Sequence, residues 1–200
     1  MNIILASSSK YRAELLQRLN ITFSTHAPDI DETLQKNEQP ISYCLRLAEE
    51  KAQAVINRLD SEQNALVIAS DQACFIQNQY IEKPFDLETS AQQLRQASGK
   101  KVSFYTSLHI VNKQSGKNYS NYNQVDVKFR LLTEKQIQFY VNQEKPIGCA
   151  GGFKVEGFGI SLFEEVISTD PTALIGLPLI QVVRGLQMLG IDILTPQDTW

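Results

Sequence analysis

A chain of 200 residues with 42% hydrophobic and 20% charged residues can bury one sizeable core and is too apolar to be wholly disordered. Its formal net charge of −3 excludes general attraction to a nucleic-acid backbone as its main business, yet leaves room for a small anion held by local cations. Cys44, Cys74 and Cys149 are widely spaced, with no Cys-x-x-Cys pair, the usage of reduced thiols in a cytoplasmic protein.

The apolar run 3–6 before Ser7-Ser8-Ser9 predicts a buried strand ending in a helix cap, followed by a helix with Leu15, Leu16 and Leu19 on one face. The run is too short for a signal peptide, and the stretch 173–183 is broken by Gly176, Pro178 and Gln181, so no leader or membrane span is expected. Residues 23–26 predict a second strand closed by Pro28. Asp29-Ile30-Asp31-Glu32-Thr33 follows as an acidic loop, then a long helix over 41–59 with Leu45, Ala48, Ala52 and Val55 inward. The run 66–69 predicts a buried strand leading into Ser70-Asp71-Gln72, and 75–81 a hairpin around Asn78.

A helix is expected over 87–97, capped by Asp86. Two alternating segments, 102–111 and 119–132, are separated by Gln114-Ser115-Gly116-Lys117. They predict an antiparallel pair long enough to protrude or twist strongly. Thr133 and Gln136 have capping-box spacing and open a helix to about residue 143. The glycine-rich segment 148–159 predicts backbone drawn close to a ligand, or a bent strand. A last helix over 178–189 ends at Gly190. With no internal repeat or linker, the chain reads as one α/β domain, 1–200, with a mixed sheet.

Ser7 and Ser9 offer hydroxyls and free N–H groups at the positive end of a helix dipole, and Arg12, in the first turn, can fork onto the same phosphate oxygens. A plain cap with a solvated arginine has the same pattern. Asp71 directly follows a buried strand, a place for a catalytic carboxylate or for a simple turn cap. Asp29, Asp31 and Glu32 are hard oxygen donors for a divalent ion or merely a solvated loop. Lys51 and Lys83 are the cations to set beside a triphosphate, or ordinary surface lysines. His26 and His109 are isolated, with no partner at zinc-ligand spacing.

Taken in order, Leu5-Ala6-Ser7-Ser8-Ser9-Lys10-Tyr11-Arg12, Asp31-Glu32, Ala48-Glu49-Glu50-Lys51-Ala52, Ser70-Asp71-Gln72, Glu82-Lys83-Pro84, Ala150-Gly151-Gly152-Phe153 and Gly176-Leu177-Pro178-Leu179 resemble the motif set of Maf-like nucleoside triphosphate pyrophosphatases. The resemblance runs from residue 3 to about 189. It implies a Maf/ITPase-like twisted mixed β-sheet with flanking helices, two lobes around a central cleft that holds a nucleotide, and pyrophosphate release that depends on a divalent metal, magnesium or manganese. The family's positions fall on Ser7 and Arg12 for phosphate, Glu32 and Asp71 for metal and water, and Lys51 and Lys83 for charge neutralisation. Homodimers are common among its members.

Where the family's commoner opening has proline and arginine, this chain has Lys10 and Tyr11. Gln72 and Glu156 stand where the dTTP and UTP branch has threonine and glutamine. These positions resemble the 7-methyl-GTP branch. The chemistry agrees: a carboxylate at Glu156 accepts guanine's adjacent N1–H and N2–H donors and favours a cationic ring, whereas uracil and thymine would turn a carbonyl oxygen toward it. Tyr11 can stack on that cation or pack on its own helix, and Gln72 can bond the base or ribose. Two readings stay open beside this one: a dTTP or UTP pyrophosphatase of the same fold, and a nucleotide-binding module of cell division with incidental catalysis.

Overall fold

The computed structural model describes residues 1–77 and 79–195; the expected turn residue Asn78 lies outside them. In chain order the regular elements are β1 (Asn2–Ala6), α1 (Lys10–Gln17), β2 (Ser24–His26), α2 (Pro40–Ile56), β3 (Ala65–Ala69), β4 (Gln72–Ile76), β5 (Gln79–Ile81) and α3 (Leu87–Ala97). They continue with β6 (Lys101–Asn112), β7 (Asn118–Phe129), α4 (Glu134–Glu144), β8 (Phe163–Ser168) and α5 (Leu179–Met188). The strands pair in the order β2-β1-β3-β6-β4-β5, with β7 on β6 and β8 on β7, a mixed eight-stranded sheet. The chain divides into two compact units. The first is Met1–Asp71, Thr106–Asn123 and Asp170–Trp200, the second Gln72–Tyr105 and Gln124–Thr169.

In the first unit β1 lies parallel to both β2 and β3, and β3 runs antiparallel to β6, with Val67 opposite Val111 and Ile68 opposite Ile110. The apolar runs of β1 and β3 are continuous because both faces are covered. The two-residue period of a strand sorts them: Ile3, Leu5, Leu66 and Ile68 join Leu15 and Leu16 of α1 and Val182 and Leu186 of α5 in one core cluster. Ile4, Ala6, Val67 and Ala69 join Ala52 and Val55 of α2 in the other. Burying each large aliphatic side chain contributes roughly 1.5–3 kcal/mol. The buried stripe of α2 is Tyr43, Cys44, Leu47, Ala48, Lys51, Ala52 and Val55. Leu45, expected inward, is only half-buried, because the stripe advances through 44, 47 and 48.

In the second unit β4 and β5 form the expected antiparallel hairpin, and β7 pairs antiparallel with β8. Asp86 caps α3 by accepting from Thr89 N–H, and Thr133 with Gln136 forms the full capping box of α4. The core here is aromatic: Phe153 meets Phe104, Phe129 and Phe163 edge-on at centroid separations of 5.4, 5.6 and 4.9 Å.

Three expectations change. Of the two expectations for the β6–β7 pair, protrusion or strong twist, protrusion is not met, since β6 also pairs with β3 and β4, and Phe104, Leu108 and Ile110 on it are buried. The segment 148–159 forms no strand but two short 3-10 turns, and Gly151 in it serves packing: a Cβ there would lie 3.1 Å from the rings of Phe104 and Phe153. Strand β8 was not foreseen, because its side chains are mostly exposed and show no alternation. No helix among the described residues is long and apolar enough to cross a membrane.

Candidate active site

The first unit builds a charged cluster at the end of β3. Asp71 leaves that strand, and its Oδ1 accepts from Lys51 Nζ at 2.5 Å, while the same ammonium stands 2.7 Å from Glu32 Oε1. Lys51 and Asp71 are each only 4% exposed. Lys51 is therefore not the surface lysine that its residue type suggests; it arrives on the buried face of α2 and joins two carboxylates far apart in sequence. Of the three acidic residues of the preceding loop, Glu32 alone reaches the cluster. The Asp31 carboxylate is turned onto the Thr33 hydroxyl and N–H, at 2.6 and 2.9 Å, which hold it below the usual carboxylate range, and Asp29 pairs with Arg58.

The frame around the cluster is made of buried polar groups that a strand pattern alone does not reveal. Ser107 Oγ accepts the Asp71 N–H at 3.2 Å and donates to the Cys44 carbonyl at 2.6 Å, so one hydroxyl ties the segment bearing Asp71 to the helix bearing Lys51. The single proton of Ser70 Oγ faces the carbonyls of Ser107 and Gly176, at 2.6 and 3.0 Å. Thr106 Oγ1 donates to the Ala173 carbonyl at 2.9 Å. The sequence signal was there to be used: Thr106 and Ser107 interrupt an apolar stretch of β6, and a polar group in such a run must find a partner.

The acidic loop is strapped to α2. Tyr43 donates its hydroxyl to the Glu32 carbonyl at 2.8 Å. Arg46 forks onto Glu38 at 2.6 and 2.7 Å and reaches the Thr33 carbonyl at 3.2 Å. These bonds hold the backbone from the Glu32 carbonyl onward in a segment with no regular structure of its own.

At the start of α1, Ser9 caps the helix by accepting from Arg12 N–H, and Ser7 Oγ accepts from Ser9 N–H at 3.1 Å. Arg12 donates Nε–H to the Gly176 carbonyl at 2.8 Å, the same oxygen that faces Ser70. Its two terminal amino groups make no hydrogen bond with the described residues. A helix N-terminus, two serines and a guanidinium anchored by its Nε are a phosphate-binding chemistry. Tyr11 is half-buried, with the Lys10 ammonium 5.0 Å from its ring centroid, so this ring already holds a cation on one face.

The other residues singled out from the sequence belong to the second unit. Gln72 opens β4 and is half-buried, Lys83 is exposed in the segment after β5, and Glu156 is exposed in the turn after Phe153. Among the described residues no group of three or more His, Cys, Asp or Glu side chains is placed to hold a metal. The donor set in the first unit is instead two carboxylates joined by one lysine.

The 7-methyl-GTP pyrophosphatase of Aliivibrio fischeri is 44% identical over 193 residues, 96% of this chain and 98% of its own. The 7-methyl-GTP pyrophosphatase of Nitrosococcus oceani is 47% identical over 192 residues, 96% and 95% of the two chains. The Staphylococcus aureus Ham1 protein covers 64% of this chain with a TM-score of 0.38 at 10% identity, a likeness too slight to carry weight. The family model described as Maf-like protein matches residues 2–189, and with two relatives above 40% identity over almost the full length, this chain belongs to the Maf family.

Proposed function

We propose that the protein hydrolyses 7-methyl-GTP to 7-methyl-GMP and pyrophosphate. The observation that carries the reading is the buried Asp71–Lys51 pair with the exposed Glu32 joined to it, in a chain whose relatives of both species bear that activity in their names. Water adds to the α-phosphorus, the bond to the bridging oxygen breaks, and pyrophosphate leaves with that oxygen. Negative charge grows on the equatorial and leaving oxygens, so fixed cations lower the barrier.

Each residue has a role in that chemistry. Ser7, Ser9 and the terminal amino groups of Arg12 bind phosphate oxygens, and Lys51 and Lys83 neutralise developing charge. Asp71 orients the water and accepts its proton. A magnesium or manganese ion fits the donor set, because such ions take one or two carboxylates and complete their shell with water and substrate phosphates. Glu32 and Asp71 would hold it, and it would supply a more acidic water and a counter-charge for the phosphates. Lys51 offsets the mutual repulsion of the two carboxylates. Glu156 accepts the guanine donors, Tyr11 stacks on the cationic ring, and Gln72 bonds the base or ribose.

The protein is taken as cytoplasmic, a reading supported by cysteines that form no disulfide among the described residues. Homodimer formation is carried by the family resemblance alone, and sedimentation velocity tests it. The functional reading is tested by pyrophosphate release from 7-methyl-GTP, GTP, UTP and dTTP, with and without chelator. Preference for 7-methyl-GTP that vanishes with the chelator is expected; preference for the pyrimidine nucleotides would overturn the substrate, and full activity in chelator the metal.

A further inference from the structure

In the second unit Glu156 sits in a turn whose two flanks are held by α4. The turn closes on itself, with the N–H groups of Gly157 and Gly159 both donating to the Lys154 carbonyl, at 3.3 and 3.0 Å. On its leading side, the Lys154 N–H donates to the Tyr140 hydroxyl at 3.0 Å, and Lys154 Nζ donates to the Glu144 carbonyl at 2.8 Å. On its trailing side, the Phe158 N–H donates to Glu144 Oε2 at 2.9 Å, while the Phe158 ring stacks on Tyr140 at 6.1 Å between centroids. The Glu144 carboxylate is pressed against the turn: a Cβ on Gly157 would stand 2.8 and 2.9 Å from its oxygens. Glu156 itself is exposed and makes no hydrogen bond or ion pair with the described residues.

The charges matter as much as the bonds. Lys154 is two residues from Glu156 and would be its natural counter-ion. Glu144 occupies that ammonium instead, through its carbonyl at 2.8 Å and its carboxylate at 3.8 Å. An unpaired carboxylate can accept two donors from a base; one already paired with lysine has given up part of that capacity. We propose that Glu144 is a positioning residue for base selectivity, which fixes the turn that presents Glu156 and keeps Lys154 from pairing with it. This rests on the reading of Glu156 as the residue that meets the base. Glu144 acts through Glu156 and touches no reacting atom.

The test compares kcat/KM for 7-methyl-GTP and for UTP in Glu144→Ala, Glu144→Asp, Glu144→Gln, Glu156→Gln and the double variant Glu144→Ala/Glu156→Gln, with thermal unfolding as a check on folding. Glu144→Ala and Glu144→Asp, whose carboxylate is withdrawn by one methylene, are expected to lower the 7-methyl-GTP to UTP ratio by about fivefold or more, with the loss falling on 7-methyl-GTP. Glu144→Gln keeps an oxygen for the Phe158 N–H but loses the charge facing Lys154, and is expected to fall between the wild type and Glu144→Asp. The double variant should be no less selective than Glu156→Gln alone, because both act on one recognition event. Equal losses for both nucleotides, or an unchanged ratio in Glu144→Ala while Glu156→Gln lowers it, would overturn the positioning role alone. An unchanged ratio in Glu156→Gln would overturn the base-recognition reading and this inference with it. Should Glu144→Ala fail to fold, the order of the aspartate and glutamine variants decides: glutamine no better than aspartate overturns the proposal.

Discussion

Replacing Lys51 by methionine keeps the length of the side chain and removes the cation that Asp71 and Glu32 share. Asp71 is 4% exposed and would be left as a buried carboxylate without its counter-charge. Removing one partner of a buried pair costs about 3–5 kcal/mol, because the remaining charge has lost both water and its mate. Asp71→Asn acts differently. Lys51 then keeps Glu32 at 2.7 Å, whose side chain is 44% exposed and partly solvated, so the loss is about 1–2 kcal/mol, that of one charged hydrogen bond exchanged for a neutral one. At about 2–4 °C per kcal/mol for a chain of this size, the midpoints fall by about 6–20 °C and about 2–8 °C respectively. Calorimetry at neutral pH reads both. The decisive variant is Lys51→Met/Asp71→Asn, which carries no stranded buried charge and should unfold at a higher temperature than Lys51→Met alone. A double variant less stable than Lys51→Met, or Lys51→Met unfolding with the wild type, would refute the assignment of a buried, mutually dependent pair.

Asp71→Asn should lower turnover by about 100-fold or more while nucleotide binding, followed by calorimetric titration, survives, since a lost proton acceptor acts on the chemical step. Arg46→Ala releases the fork on Glu38 and the hold on the Thr33 carbonyl; activity titrated against magnesium should then need about tenfold more metal for half-maximal rate, the cost of loosening a support behind the proposed ligand Glu32. His109 is held below its ordinary value of 6.5, chiefly by burial, with the charge of Glu49 opposing. The unfolded chain therefore takes up a proton first as pH falls: the stability tied to neutral His109 is whole above about 6.5 and is lost as pH drops through the lower folded value. Thermal midpoints between pH 7.5 and 5 should fall less steeply in His109→Asn than in the wild type.

Much of the framework was open to a reader of the sequence because it is written in local period and local chemistry. The runs of β1 and β3 announce strands buried on both faces, and Ser9, Asp86 and Thr133 each accept the helix N–H that their positions predict. Strand β8 escaped because an exposed strand has no burial to impose a period. The bent strand expected of the glycine-rich segment is absent because glycine marks close approach without saying what approaches; the rings of Phe104 and Phe153 do so at Gly151.

The sequence by itself determined which residue types were present for phosphate chemistry and which elements carry them. The tertiary structure decided which of them meet. That Glu32, and neither Asp29 nor Asp31, reaches Lys51 follows from Thr33 and Arg58 taking the other two carboxylates. That Lys51 is buried against Asp71 follows from α2 packing its lysine-bearing face onto the sheet, with Ser107 of β6 joining the two backbones. Periodicity is a property of neighbours along the chain, whereas the pairing of charges is set by contacts between distant segments, and only the folded packing makes those neighbours.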